Sequence, residues 1–447
     1  MGRFMQINRR DTLKAFFGGA AATSLPLALP FPARAFPVNQ AGGHQTFTLD
    51  NGLRTHFIAN NSGYVTAALV LRSKEITHNG LAHLCEHTSC AGAAGNMSAA
   101  QVTALFKDCV QDSNATTEAG ALRWFASFLP QYLPQVTDLL SAISLDQKFD
   151  LETVAAQQRV VREELYLDKY NPSLAAEQKF DRELFGKSHP YAKETLEEEI
   201  ARCKIAPEKC AAELGAFADR TRLPGNMDLF VVGSIEPNAL QDLVQKSFGR
   251  FARAEGPRLD IPRVDVTRAY KPLVEPSFEL QRPMSELRIA WNTGVCNTGA
   301  DARTLLALGS YLGTALFDEL REKDGDTYTP DVSYEPDACS GVFRVAISSS
   351  KDPQKVEKKV FEVVDKMKSA IDAKELARLR DRIALKRCKE AGDNQALLDR
   401  LVDRTLEGCG VGDLAVDTVT PEEMMAAARK YMPSHREGYV RLALKGQ

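Results

Sequence analysis

A short segment of the chain, His83-Leu84-Cys85-Glu86-His87, contains two imidazoles and a carboxylate at helical spacing. At about 100° per residue, the side chains of His83, Glu86 and His87 lie within one arc of about 100° on a helix. Two histidines four residues apart can bind one zinc ion, and a carboxylate three residues after the first reaches a water molecule on that metal. The chain has only seven histidines, so an accidental match is rare. The segment therefore predicts a catalytic site with Zn2+ as the cofactor, rather than a structural pair of histidines.

A catalytic zinc site needs a third protein ligand and leaves the fourth position to water. The amphipathic helix predicted over 151–167 is the best source of that ligand, and it carries the adjacent carboxylates Glu163 and Glu164. Cys85, inside the histidine motif, points away from the ligand arc. We expect its thiol to pack in the core rather than to bind metal.

These features resemble the pitrilysin/insulinase family of inverted-motif zinc peptidases, in the branch that includes mitochondrial processing peptidase. The resemblance covers nearly the whole chain after its leader. In that family a segment about 77 residues beyond the second histidine supplies the third ligand. This corresponds to Glu164, with Glu163 as the adjacent alternative. The family usually has a glutamate where this chain has Gln157, so we expect a looser orientation of the ligands or a lower rate, without loss of zinc.

Two further segments resemble functional parts of the same family. Asn114 and Ala115 match an edge strand whose backbone pairs with an extended peptide by strand addition, and a plain edge strand is the alternative. Arg321 and Tyr328, seven residues apart, match an Arg/Tyr element whose donors suit the carbonyl oxygen that becomes anionic during attack. The alternative for Arg321 is an ion pair on the surface.

The resemblance implies a zinc-dependent metallopeptidase that hydrolyses short or unfolded peptides inside a closed chamber. His83, His87 and Glu164 would hold the zinc, and Glu86 would be the general base toward the water on the metal. Two other classes of protein stay open. One is a non-catalytic peptide-binding or assembly subunit of the same fold, and the other is a structural zinc protein with a fourth protein ligand.

The resemblance also implies an assembly. Family enzymes close four such domains around a chamber, whereas this chain has two. A homodimer is therefore expected, with the zinc half of one subunit facing the Arg/Tyr half of the other in a clamshell. A heterodimer with a related subunit is the alternative.

The chain repeats itself once. Gly120–Ser127 and Gly341–Ser348 are both strands that begin with glycine and lead into an amphipathic helix. Pro207 and Pro421, each followed by glutamate, both open a helix that ends in a strand. These matches predict two homologous α+β halves.

We predict domains over 45–260 and 271–447, joined by a linker over 261–270. Each is expected to be a largely antiparallel mixed sheet with helices packed on one face. The first domain would contain the zinc site, and the second the Arg/Tyr element.

The segment 1–35 is typical of an export signal. Arg9 and Arg10 precede an apolar run, and Ala33 and Ala35 are small residues at the positions that a signal peptidase reads. The paired arginines resemble a twin-arginine signal, which implies a periplasmic location. The apolar run is short and contains prolines, so we expect no stable membrane span after its removal. A membrane anchor and a basic tail are the alternatives.

The overall composition excludes some partners. The chain has 56 basic and 59 acidic residues, a net charge of -3, and no basic stripe, so we expect no nucleic acid partner. Its nine cysteines contain no CxxC pair. An oxidising compartment would permit disulfides, and the nearby partners Cys203–Cys210 and Cys388–Cys409 are the candidate pairs, with Cys85 expected to be free.

Overall fold

The computed structural model describes residues 43–76, 80–118, 120–186, 194–253, 279–280, 284–323, 330–336, 341–407, 414–435 and 438–446. Within these ranges the chain forms two sheets with helices packed against them. The export signal, the linker 261–270 and Tyr328 lie outside the described residues, so the predictions made for them stay predictions.

A six-stranded sheet organises the first half of the chain. Its strands are β1 (Gln45–Thr48), β2 (Arg54–Ala59), β3 (Val65–Arg72), β4 (Asp112–Glu118), β5 (Ala121–Phe128) and β6 (Met227–Gly233). Their order is β1-β2-β6-β3-β5-β4, and all pairs are antiparallel except β2 with β6. Among the described strands, β4 therefore lies at one edge of the sheet, with β5 as its one partner.

Eight helices of the first half are described. They are α1 (Gly80–Ala91), α2 (Ala99–Cys109), α3 (Leu133–Leu145), α4 (Leu151–Lys169), α5 (Pro172–Phe185), α6 (Leu196–Arg202), α7 (Pro207–Thr221) and α8 (Pro237–Phe248). Most of them share one core with a face of the sheet, in which Trp124, Phe217 and Phe248 are fully buried. This core is the platform on which α1 and α4 are seated.

A five-stranded sheet organises the second half. Its strands are β7 (Glu279–Leu280), β8 (Ser285–Asn292), β9 (Asp331–Pro336), β10 (Gly341–Ser349) and β11 (Val440–Gly446), in the order β7-β11-β8-β10-β9. The described helices are α9 (Ala302–Phe317), α10 (Pro353–Met367), α11 (Ala373–Glu390), α12 (Asn394–Glu407) and α13 (Pro421–Tyr431). A short π-helical segment, Asp318–Lys323, extends α9. The α+β prediction is confirmed.

The two halves exchange helices, which the sequence did not lead us to expect. Leu398 and Leu401 of α12, from the second half, pack on the outer face of the first sheet beside Val70. Reciprocally, Phe180 and Leu184 of α5 pack on the outer face of the second sheet. Each sheet is thus covered on both faces, and this explains why β3 and β6 are apolar at consecutive positions rather than at alternate ones.

Two ion pairs hold the exchanged helices in equivalent places. Arg123 of β5 contacts Asp399 of α12 at 2.6 Å, and Arg344 of β10 contacts Asp181 of α5 at 2.7 Å. Both arginines stand three residues after the glycine that begins the repeated strand segment. The internal repeat therefore includes the arginines of the ion pairs between the two halves.

The described cysteines are all thiols. The predicted Cys203–Cys210 disulfide is not formed, and both thiols pack as small apolar groups in the first core. Burial raises the pKa of Cys203 to about 12 and that of Cys210 to about 11, which favours the protonated thiols. Cys85 is buried and free, as expected. Cys409 lies outside the described residues.

None of the helices in the described ranges combines the length and the hydropathy that crossing a bilayer would require.

Candidate metal centre and active site

Helix α1 carries the histidine motif and is buried along most of its length. Its first backbone N–H, that of Gly80, donates to Glu194 Oε2 at 2.8 Å. Toward its other end, the guanidinium of Arg222 donates to the carbonyl oxygen of Cys85 at 3.2 Å and to Ser89 Oγ at 2.6 Å. These contacts fix the helix at both ends, so the ring-bearing face has a defined position.

Three side chains of α1 and α4 come together as a candidate metal site. The ligand atoms of His83, His87 and Glu164 all lie within 4.8 Å of one another. Glu164 Oε2 is 3.7 Å from His83 Nε2 and 3.3 Å from His87 Nε2. The two imidazole rings are nearly perpendicular, at 74°, with centroids 5.0 Å apart.

The spacing of these atoms fits zinc. Zinc–ligand bonds of about 2.1 Å in a tetrahedron place neighbouring ligand atoms about 3.4 Å apart. The two measured nitrogen–oxygen distances, 3.7 and 3.3 Å, lie on either side of that value. Two imidazoles and one carboxylate are also a donor set that leaves a position for water. The residues present therefore fit the ion that the sequence predicted.

Glu164 reaches the histidines because α4 is packed by its apolar face. Asp150 caps the helix by accepting the backbone N–H of Thr153 at 2.8 Å. Val161 and Leu165, on either side of Glu164, are buried in the first core, which turns the Glu164 carboxylate toward α1. Burial acts to raise the pKa of Glu164, but the two adjacent histidines outweigh it and hold the pKa well below its usual range. The carboxylate is therefore available as an anionic ligand.

Glu163 points elsewhere. Its side chain is 71% exposed and lies 3.8 Å from Arg162, as a helix-surface charge does. Of the two adjacent carboxylates that the sequence offered, only Glu164 faces the histidines. Gln157, two turns earlier on α4, is half-buried.

A second carboxylate, which the sequence analysis missed, approaches the site from α6. Glu199 Oε2 lies 3.4 Å from His83 Nδ1, and its side chain is only 8% exposed. A carboxylate on Nδ1 favours the tautomer whose Nε2 lone pair is free for a metal, and it fixes the orientation of the ring. Orientation of His83 thus comes from Glu199, which lies 116 residues away in sequence.

Replacing Glu199 with glutamine is expected to lower zinc affinity by on the order of 10- to 100-fold, because the amide cannot supply the anionic partner of Nδ1. The matched control is Glu197→Gln on the same helix, whose side chain is 66% exposed and pairs with Lys169. Competition titration against a chromophoric chelator measures the affinity. Equal affinities of the two variants would contradict the role of Glu199.

The carboxylate of Glu86 lies beside the candidate ligands and is not among them. It is 2% exposed, and the hydroxyl of Thr117 on β4 donates to its Oε2 at 2.6 Å. A buried carboxylate three residues after His83 is suitably placed to exchange a proton with water at the metal.

The predicted substrate segment lies on the edge strand β4. Asn114 is opposite Phe125, on the sheet face that α12 covers, whereas Ala115 is opposite Trp124, on the face of α1. The Asn114 side chain therefore points away from α1, and its Oδ1 accepts the backbone N–H of Ala115 at 3.0 Å. We therefore expect this segment to contact a peptide at the open edge through its backbone.

The Arg/Tyr element is described only in part. Arg321 lies in the π-helical segment after α9, in the second half, with its guanidinium carbon 5.0 Å from the centre of the Phe317 ring. Tyr328 lies outside the described residues. The structure thus places His83, Glu86, His87 and Glu164 in the first half and Arg321 in the second.

Comparison with known families decides the class of the protein. Residues 72–198 match the family model described as Insulinase (Peptidase family M16), and residues 211–383 match the model described as Peptidase M16 inactive domain. The chain belongs to peptidase family M16. The first of these segments contains all the candidate metal ligands of this M16 chain.

Curated relatives of this M16 chain carry zinc protease names. A protein of Mycobacterium tuberculosis named an uncharacterized zinc protease is 26% identical over 313 residues, which cover 67% of this chain and 68% of that protein. A protein of Mycobacterium leprae with the same description is 24% identical over 318 residues, 67% of each chain.

Solved structures share the fold. A protease from Helicobacter pylori matches with a TM-score of 0.80 at 17% identity, covering 91% of this chain and 100% of that one. A peptidase M16 inactive domain from Pseudomonas fluorescens matches with a TM-score of 0.72 at 17% identity, covering 91% and 98%. The periplasmic protease PqqL from Escherichia coli matches with a TM-score of 0.71 at 16% identity, covering 97% of this chain but 50% of that one.

Proposed function

We propose that this M16 chain is a zinc-dependent metalloendopeptidase of the branch that includes mitochondrial processing peptidase, acting on short or unfolded peptides. The observation that carries the proposal is the convergence of His83, His87 and Glu164 at distances suited to zinc, with the buried carboxylate of Glu86 beside them. The zinc protease names of the mycobacterial relatives support the same chemistry.

The two rival classes make different use of these residues. A non-catalytic subunit needs no buried carboxylate next to a metal site, yet this chain has Glu86 there. A structural zinc needs four protein ligands. Within the described part of the chain, the group that could hold a metal has three members, which favours an open catalytic site.

In the proposed reaction, His83, His87 and Glu164 hold zinc, with Glu199 orienting the His83 ring. Zinc, when bound, lowers the pKa of water and polarises a peptide carbonyl. Glu86 takes one proton from the attacking water at its carboxylate and delivers it to the nitrogen of the leaving amine. The peptide C–N bond breaks, and the water oxygen stays with the new carboxyl group.

The open edge of β4 suits an extended peptide. Among the described strands it pairs only with β5, so its other side can add one more strand through backbone hydrogen bonds. We propose that Asn114 and Ala115 contribute in this way, through the main chain. Such recognition depends on the extended main chain of the peptide more than on its side chains, which suits unfolded substrates.

Arg321 and Tyr328 are proposed to stabilise the carbonyl oxygen as it gains charge. The π-helical turn around Arg321 supports a functional role, since such turns are frequent at functional sites. We propose that a homodimer brings this element of one subunit to the zinc site of the other. PqqL supports this arrangement, because this chain spans half of its length and two copies would supply an equivalent set of domains.

A mixing experiment tests the shared site. Glu86→Gln and Arg321→Ala chains are each expected to be nearly inactive as homodimers, whereas the mixed dimer contains one intact combination. Re-association should then restore up to about a quarter of wild-type activity, assuming random pairing with one working site in each mixed dimer. Mass spectrometry of differently tagged chains checks exchange. Proven exchange without recovery would contradict a site built from two subunits.

The export signal over 1–35 is proposed to direct the folded protein to the periplasm by the twin-arginine route. Fractionation of cells that express the chain with Arg9 and Arg10 both replaced by lysine is expected to find it retained in the cytoplasm.

One experiment tests the peptidase proposal itself. The purified protein is incubated with a mixed peptide library, with and without a zinc chelator, and products are identified by mass spectrometry. We expect cleavage at internal bonds that stops with chelator and returns with added zinc. Bound zinc without any cleavage would favour the non-catalytic subunit.

A further inference from the structure

We propose that Thr117 is the positioning residue for Glu86, and that it ties the peptide-binding strand to the general base. This inference rests on the proposed peptidase function. It assigns a task to a residue that neither the histidine motif nor the predicted substrate segment contains.

The contact joins two elements of the site. Thr117 is the sixth residue of β4, two positions after Ala115, so the two side chains share the sheet face on which α1 packs. Its Oγ1 lies 2.6 Å from Glu86 Oε2 and 3.4 Å from the carbonyl oxygen of Ala82. The hydroxyl has one proton, and the shorter contact to the carboxylate takes it.

The hydrogen bond from Thr117 is important because the Glu86 carboxylate is buried. Glu86 is 2% exposed, and a carboxylate removed from water is costly unless donors replace the lost solvent. Among the described residues, Thr117 is the one that donates a hydrogen bond to it. One carboxylate oxygen is thus held by Thr117, which fixes the rotation of the group and the direction in which the other oxygen points.

Thr117 lies on the same strand that is proposed to bind the peptide. A peptide that pairs with the open edge of β4 forms main-chain hydrogen bonds along the strand that also carries the Thr117 hydroxyl. Peptide register and base position are therefore set by one element, and the scissile bond and the proton acceptor keep a constant separation.

The neighbouring threonine provides a matched control. Thr116 points to the opposite face, and its buried Oγ1 has no hydrogen-bond partner in the part of the chain that the structure describes. Thr117→Val and Thr116→Val both keep a β-branched residue in the strand and remove one hydroxyl. Thr117→Ser keeps the hydroxyl and removes a methyl group.

We expect Thr117→Val to lower kcat on a quenched fluorescent peptide by on the order of 10- to 100-fold, since a hydrogen bond to a charged group is lost. KM should change less than about threefold, and zinc content should stay at one per chain. Thr117→Ser should recover most of the rate, and Thr116→Val should match the wild type. In a Glu86→Gln background, Thr117→Val should cost little more. A full effect in Thr117→Ser, or none in Thr117→Val, would overturn the proposal.

Crystal structures of the zinc-loaded wild type, Thr117→Val and Thr117→Ser decide the same question without turnover. The Glu86 carboxylate should leave its wild-type position in Thr117→Val alone. An unmoved carboxylate in that variant overturns the positioning role. If the wild type bound zinc but cleaved no peptide, a displaced carboxylate would support the positioning role while the peptidase proposal failed.

Discussion

Replacing Glu86 with glutamine is expected to leave zinc bound and to lower kcat by on the order of 10²- to 10⁴-fold. The amide has nearly the shape of the carboxylate, and its oxygen can still accept the Thr117 hydroxyl. It cannot take a proton from water, so the contribution of a general base is lost. Because Glu86 is not one of the grouped metal ligands, the site that holds the ion should be unaffected.

Two measurements on one preparation separate these effects. Elemental analysis gives zinc per chain, and a quenched peptide assay gives kcat. Glu163→Gln is the control, because it makes the same chemical change on an exposed side chain. Zinc retained with activity lost supports Glu86 as the base. Hydrolysis near the wild-type rate would eliminate it.

The parts of the site that could be predicted are those governed by local periodicity. His83, Glu86 and His87 lie on one helix, so their spacing alone places them on a common face. Apolar periodicity likewise places Glu163 and Glu164 on the helix that the structure shows as α4. The choice between them depended on the family resemblance, and packing of the apolar face of α4 explains why Glu164 points inward.

Contacts between distant segments could not be predicted. Glu199 stands in the acidic run Glu197-Glu198-Glu199, which has the appearance of a solvated surface, although its neighbour Ile200 is apolar and buried. Together with Leu196, the buried apolar residue before the run, that neighbour was a signal that the run has an inward side. Thr117 likewise cannot be distinguished in the sequence from an ordinary strand residue. Its role depends on the position of β4 relative to α1.

The exchange of α5 and α12 escaped prediction for a related reason. Amphipathic helices and apolar strands show that faces are buried, but not which half of a repeated chain covers them. The arginines Arg123 and Arg344 stand at equivalent positions of the repeat, while their partners Asp399 and Asp181 lie far away in sequence. The repeat in the sequence reveals the arginine of each ion pair, but its aspartate partner can be identified only from the folded structure.

Replacing Glu164 with alanine is expected to remove zinc and, with it, activity. Loss of the anionic ligand leaves two neutral imidazoles, and the fall in affinity should exceed the 10- to 100-fold that is usual when an outer partner of a ligand is lost. The adjacent Glu163→Ala is expected to bind zinc like the wild type. Its side chain is 71% exposed, and its contact with Arg162 at 3.8 Å contributes little in water.

Chelator competition gives both affinities, and the shift of Tm on adding zinc gives an independent measure, because an ion that binds only the folded state stabilises it. Wild type and Glu163→Ala should show the same positive shift, and Glu164→Ala a much smaller one. The apo proteins should all melt cooperatively, which shows that lost binding is not lost folding. Wild-type affinity in Glu164→Ala, or lost affinity in Glu163→Ala, would mean that the carboxylate now facing His83 and His87 is not the third ligand.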